Sequence, residues 1–335
     1  MKKGFVKRIC MTVLASAMAV TMLSASAMAE EETKHEHVFT DGICECGKYE
    51  ASFVTRIPLK EKYTKEIDEK GTLETITYTT PLYAFDETQE VEKVMQVYLP
   101  YGYDESQSYN VVYLMHGGGE SEYYWLNDEP VYEDTKAMGK TTKAVVDNML
   151  KDGKTEPTIY VATTCLSKNG EESVNDNDAY AKEFRNIIVP LVESKYSTYT
   201  KGDVSEENLK ATRNHRAFCG FSMGAGCTVN GILKHNLDIV GYFGPYSGAT
   251  SDPDGVIEAI KDVITEYPVL YMYNGNGSAD FALEGHQEFY NALLEKLPEH
   301  FQNGKNTCWI EFKGGSHAYN CWIVDLYNSM LVWFK

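Results

Sequence analysis

Three separated stretches of the chain carry residue types suited to acyl transfer through a serine. The first is Gly220-Phe221-Ser222-Met223-Gly224, a G-x-S-x-G pattern set between the apolar run Ala217 to Cys219 and a segment of helical composition from Ala225 to Leu233. A serine so placed sits on a sharp strand-to-helix turn, and its flanking glycines let backbone pass backbone where a Cβ would collide. The first amide of the following helix, that of Met223, has no partner within the helix and is available to the atom that Ser222 attacks. The second stretch, Tyr113-Leu114-Met115-His116-Gly117-Gly118-Gly119, ends a strand on a glycine triplet. An amide at Gly118 or Gly119 can complete an oxyanion hole with that of Met223, because only glycine brings the main chain so close to a tetrahedral oxyanion. No G-K-[ST] follows to make it a phosphate loop, and His116 is read as orienting the turn by hydrogen bonding. The third stretch is Lys313-Gly314-Gly315-Ser316-His317, where His317 on a glycine-rich loop near the C-terminus is placed to be the general base.

A carboxylate must hold that histidine in one tautomer, and it should follow a strand between Ser222 and His317. The run Val269 to Tyr273 leads into Asn274-Gly275-Asn276-Gly277-Ser278-Ala279-Asp280, and a long helix begins at Phe281. Asp280 is therefore the acid. Its competing role is a helix N-cap; Glu284 is the reserve, with Asp252 and Asp254 behind it. His215, His235, His286 and His300 read as surface or helix residues.

Apolar runs at Val91 to Leu99, Tyr109 to Met115, Thr158 to Thr163, Arg216 to Cys219, Ile239 to Phe243, Val269 to Tyr273 and Thr307 to Phe312 predict strands. Helical stretches fall between or after them: Thr142 to Leu150, Ala179 to Ser194, Met223 to Lys234, Gly255 to Ile264, Phe281 to Leu297 and Tyr319 to Phe334. This alternation predicts an α/β fold with a mostly parallel central sheet and helices on both faces, and ligands in such folds bind beyond the carboxyl ends of the strands. Residues 167 to 178, rich in Gly, Ser, Asn and Asp, read as a surface loop.

Residues 1-29 have a basic start, an apolar middle from Ile9 to Leu23 and Ala27-Met28-Ala29 before an acidic run, the pattern of a secretory signal peptide, so the protein is expected to be secreted. That segment holds four basic and no acidic side chains, so its removal would take the net charge from −18 to −22. A balance this negative disfavours nucleic acid and anionic membranes as partners. In 30-51, His35, His37, Cys44 and Cys46 could form a tetrahedral structural zinc set, although C-x-C is tight spacing and a linker or local redox pair is the alternative. Residues 52-335 are long enough for one large catalytic domain. The seven cysteines beyond residue 29 are odd in number and dispersed, with Cys308 and Cys321 the one pair considered for a disulfide. The sequence leaves the oligomeric state open.

Together these residues resemble the esterase D and feruloyl esterase family of α/β-hydrolases, an exported branch of carbohydrate esterases. The resemblance runs from about Gly71 to Lys335 through Gly71-Thr72-Leu73-Glu74, Val97-Tyr98-Leu99-Pro100, Tyr109 to Gly119, Trp125, Gly220 to Gly224, Asp280, Gly314-Gly315, His317 and Trp322. It implies a Ser222, Asp280, His317 triad, no cofactor for catalysis, and a hemicellulose or oligosaccharide ester as substrate, with feruloyl favoured over acetyl on xylan. Tyr319 stands where a tryptophan is common, and Ser316 lies between the glycines and the histidine, which bears on acyl preference. Tyr123, Tyr124 and Trp125 after the oxyanion loop, and Tyr319 and Trp322 after the base, offer flat rings for substrate; core support of the loops is the other role open to Trp125 and Trp322. Two other readings are a small-molecule esterase or thioesterase of the S-formylglutathione hydrolase type, and a glycan-binding protein on an inactive hydrolase scaffold, against which the intact serine, acid and histidine speak.

Overall fold

The structure, a computed structural model, describes residues 57–133, 135–170 and 172–335, together with the backbone pairing of Phe39–Thr40 with Ile43–Cys44 in a short hairpin. The segment 1-29 and three of the four zinc candidates, His35, His37 and Cys46, lie outside the described residues.

An eight-stranded sheet organises the domain. Its strands are β1 (Thr72–Leu82), β2 (Asp86–Leu99), β3 (Asn110–Met115), β4 (Thr158–Thr163), β5 (Arg216–Phe221), β6 (Tyr242–Tyr246), β7 (Tyr271–Gly277) and β8 (Thr307–Phe312). They lie in the order β8-β7-β6-β5-β3-β4-β2-β1. Every pairing from β4 to β8 is parallel, whereas β2 runs antiparallel to both β1 and β4. Parallel strands need crossovers, and the crossover helices cover both faces, so central strands must be apolar throughout rather than alternating. β3 shows this directly: Val111, Tyr113 and Met115 enter one core cluster while Val112 and Leu114 enter the other. The helices that bear on the site are α1 (Gly139–Lys151), α2 (Met223–Gly226), α3 (Leu283–Lys296) and α4 (Tyr319–Val332). This is the α/β-hydrolase architecture, with β3, β5, β7 and β8 leading into Gly117–Gly119, Ser222, Asp280 and His317 at one end of the sheet.

The differences from the sequence reading have local causes. β1 was not among the predicted strands because it mixes exposed threonines and glutamate with few apolar residues; it is an edge strand held by the long antiparallel register with β2. Residues 167 to 178, read as a loop, contain an antiparallel hairpin, Leu166–Asn169 with Glu172–Asn175. β7 continues through Asn274-Gly275-Asn276-Gly277, residues that compositionally signal a turn. Asn274 is accommodated because its buried side-chain amide donates to Thr307 Oγ1 and to the Cys308 carbonyl, both at 3.1 Å, and Gly275 is accommodated because the Asp325 carboxylate occupies the space of a Cβ. Cys308 is a buried free thiol, so the considered bridge to Cys321 does not form.

Candidate active site

Ser222 follows β5 directly and stands at φ 55°, ψ −117°, a backbone region that costs a non-glycine residue on the order of 1–3 kcal/mol and persists only where the surroundings fix it. Here the fixing contacts are identifiable. The Ser222 amide donates to the Tyr246 carbonyl at 2.9 Å, and its own carbonyl accepts from Ala225 and Gly226 as α2 begins. The helix then packs hard against the end of β3: a Cβ on Gly224 would stand 2.6 Å from the carbonyl oxygen of His116. The serine turn and the Gly117–Gly119 turn are thus one packed unit.

On that second turn, Gly119 takes φ 76°, and a Cβ on Gly118 would meet no protein atom within 4 Å, so the turn faces open space where a bound group can sit. His116 is buried beneath it. Its Nδ1 lies 2.8 Å from the Gly117 carbonyl and its Nε2 2.8 Å from Thr164 Oγ1. Burial holds its pKa down at about 4, so the ring is neutral, donating from Nδ1 and accepting at Nε2. With both nitrogens committed it fixes the turn and is no base.

His317 leaves the loop after β8 and is partly exposed. Its Nδ1 lies 2.9 and 3.1 Å from the two carboxylate oxygens of Asp280, whose side chain is fully buried. Burial works to raise the Asp280 pKa, but hydrogen bonds from His317, the Ala282 amide and Ser247, with the charge of His317, outweigh it and leave the carboxyl below its ordinary range. The Ala282 amide donates to Asp280 Oδ1 at 2.8 Å in a local turn ahead of α3, whose N-cap position is Ala282, so Asp280 is not the helix N-cap considered from sequence. Glu284, Asp252 and Asp254 make no such contact: Asp252 caps its own helix through Gly255, and Asp254 pairs with Lys296.

Trp322, one turn into α4, joins the serine turn to the histidine loop: its ring lies 3.8 Å from Phe221 in a stack and 5.3 Å edge-on from His317. Its indole N–H donates to Ser247 Oγ at 2.8 Å, while the Ser247 hydroxyl donates to Asp280. Ser247 is a residue the sequence did not single out. It is buried, follows β6 and sits at φ 51°, features that no short motif announces. Phe281 was also missed: 81 % exposed, its ring centroid is 4.2 Å from that of His317. The only sequence signal was its position beside Asp280.

The aromatic platform expected from sequence is corrected. Tyr124 and Trp125 are each 1 % exposed. Trp125 donates its indole N–H to the Met115 carbonyl at 2.9 Å and packs edge-on against Phe221, so it braces β3 and the serine turn from behind. Tyr319 is partly buried, its hydroxyl held near Thr142 Oγ1 and the Met138 carbonyl of the α1 region. Trp322 is buried as well. Tyr124, Trp125 and Trp322 are too buried to present an open face to a sugar. His286, read as a surface or helix residue, lies on α3 but is buried against Asn274 and Asn276, 3.3 and 3.2 Å away.

The Esterase family model matches residues 88–331. Among curated proteins, the chain is 37% identical over 201 residues to an endo-1,4-beta-xylanase Y of Acetivibrio thermocellus, covering 60% of this chain and 16% of that one. It is 29% identical over 236 residues to an endo-1,4-beta-xylanase/feruloyl esterase of Xylanibacter ruminicola, covering 67% of this chain and 27% of that one. The chain therefore spans about a sixth to a quarter of the length of these relatives. Among solved structures, a mutant of the feruloyl esterase module from Clostridium thermocellum complexed with sinapinate superposes with a TM-score of 0.71 at 28% identity, covering 84% of this chain and 94% of that one.

Proposed function

The chain belongs to the Esterase family and is a serine carboxylic-ester hydrolase, and from that premise we propose that it removes feruloyl groups from xylan-type polysaccharides after export. The observation that carries this reading is the buried Asp280 bound to His317, tied through Trp322 to a strained Ser222 turn, in a fold that matches a sinapinate-binding feruloyl esterase module.

In the proposed mechanism, Ser222 Oγ attacks the ester carbonyl as His317 Nε2 takes its proton, and Asp280 stabilises the imidazolium through Nδ1. The amides of Met223 and of Gly118 or Gly119 receive the oxyanion. His317 then protonates the departing sugar alcohol, and a water activated by the same imidazole releases the acid and restores Ser222. Every proton moves on side chains the chain itself supplies.

Feruloyl is favoured over acetyl because Phe281 extends an exposed ring beside His317, where a flat acyl group could rest against it. The signal-like segment 1-29 supports export. Among the described residues no helix is long and apolar enough to cross a membrane. The deciding experiment compares purified protein on methyl ferulate, p-nitrophenyl acetate and acetylated xylan. Hydrolysis of methyl ferulate with little action on acetylated xylan is expected; the reverse preference would make the enzyme an acetyl xylan esterase.

A further inference from the structure

Beside the glycine turn opens a cavity of about 360 Å³ that the ester chemistry does not use. The four residues after Gly119, Glu120, Ser121, Glu122 and Tyr123, all line it and place it immediately next to the proposed oxyanion amides; Lys168 lines it as well. Its inner wall holds Lys93, whose ammonium is already committed to Glu183 at 2.8 Å and the Thr164 carbonyl at 3.0 Å. Opposite stands Tyr132, 47 % exposed, edge-on to Tyr123 with centroids 5.6 Å apart, its hydroxyl 3.2 Å from Glu122 Oε1. Burial raises the pKa of both Glu120 and Glu122.

We infer that this cavity is a subsite for the sugar on the alcohol side of the ester, a neutral polyhydroxylated ligand; the inference rests on the reading of Ser222 as nucleophile and of the Gly117–Gly119 turn as oxyanion loop. Glu120 accepts from the Lys136 amide at 3.1 Å and Glu122 from the Tyr132 hydroxyl, and the acceptor capacity that remains on the two carboxyl groups suits a ligand rich in donors. A sugar supplies several hydroxyls at once and lays its C–H face on an aromatic ring such as Tyr132. A phenolic acyl group brings one hydroxyl and would desolvate both carboxyl groups without replacing their water. Position agrees with chemistry: once the ester carbonyl is fixed at the glycine amides, whatever is bonded to it can reach the residues that follow in the chain.

The test uses the full-length protein and two substrates with the same acyl group, a methyl ester and a xylo-oligosaccharide ester, for whichever acyl group the enzyme accepts. Tyr132→Ala should lower kcat/KM on the oligosaccharide ester about tenfold more than on the methyl ester, since only the sugar draws remote binding energy from this ring. Glu122→Gln should do the same. Because Glu122 is buried and its variant could misfold, the exposed Tyr132 carries the decision. Titration calorimetry with an ester-free xylo-oligosaccharide should show binding to the wild type that Tyr132→Ala weakens by a similar factor. Equal losses on the two esters, together with sugar binding unaffected by Tyr132→Ala, would overturn the subsite. Sugar binding lost in Tyr132→Ala by a protein that cleaves neither ester would uphold the cavity as a sugar site while overturning the esterase reading instead.

Discussion

The indole of Trp322 lies flat on the ring of Phe221, centroids 3.8 Å apart and planes 14° from parallel. The contact joins the residue before Ser222 to the first turn of the helix after His317, two points that are 101 residues apart in the chain. Trp322 therefore packs between the residue before Ser222 and the ring of His317. Misplacing reacting groups by about 1 Å can cost on the order of 10²-fold in rate. Trp322→Ala is accordingly expected to lower kcat about 100-fold on methyl ferulate and on p-nitrophenyl acetate alike, with KM little moved. A loss confined to KM for the feruloyl ester would return the ring to substrate contact.

Ser222→Ala and His317→Ala should each reduce kcat by about 10⁴-fold or more, and Asp280→Asn by about 10³–10⁴-fold, because the three act as a unit. The backbone of Ser222 adds a second readout. At φ 55° the serine stores strain that glycine would not feel, so Ser222→Gly should be inactive yet more stable than the wild type by about 1 kcal/mol, seen as a raised Tm. An inactive glycine variant with a lowered Tm would show that the turn is unstrained.

Trp125 now belongs to the core. Removing so large a buried ring costs about 3–5 kcal/mol, and the Met115 carbonyl would lose its donor. Trp125→Ala should unfold at markedly lower urea and lose kcat/KM equally on a feruloylated arabinoxylan oligosaccharide and on p-nitrophenyl acetate. A selective loss on the oligosaccharide with normal stability would contradict the buried position.

The proposed zinc set His35, His37, Cys44 and Cys46 predicts about one zinc per chain in metal-replete protein by elemental analysis, lost in the double variant Cys44→Ser, Cys46→Ser. Its ester hydrolysis should stay within about twofold of wild type, since no step of the proposed chemistry passes through the segment. Metal-free protein would leave the linker reading.

What the sequence disclosed and what it hid divide along a physical line. Ser222, the Gly117–Gly119 turn and His317 stand out in the sequence because the chemistry proposed for them demands particular residue types at short spacing, and β3, β4 and β5 were legible because buried parallel strands are continuous apolar runs. Asn274 to Gly277 looked like a turn because their satisfaction comes from Thr307, Cys308 and Asp325, residues far along the chain. Trp125 and Tyr124 looked like a binding surface because composition reports that a ring is present, not which way it faces. Ser247 and Phe281 had no signal beyond adjacency to a strand end or to Asp280.

The buried histidines give the fold a defined acid sensitivity. His116 and His286 are held neutral by burial, with pKa values at about 4 and about 3, against about 6.5 for an unfolded imidazole. Lys93 further disfavours protonation of His116, while Asp280 favours that of His286 without overcoming burial. Below pH 6.5 the unfolded chain therefore takes up protons that the folded chain does not, and stability falls as pH drops from about 6.5 towards 4, by up to about 1.4 kcal/mol per pH unit for each histidine. Asp280 acts elsewhere: its lowered pKa makes a contribution that is present above the ordinary carboxylate range and is lost only under more acidic conditions, so it adds no slope in this window. Urea denaturation at several pH values between 4.5 and 7.5 should give a stability that rises with pH and levels off above 7. In His286→Gln the rise should be shallower by about one proton's worth; an unaltered slope in that variant would mean that the imidazole is protonated in the folded protein.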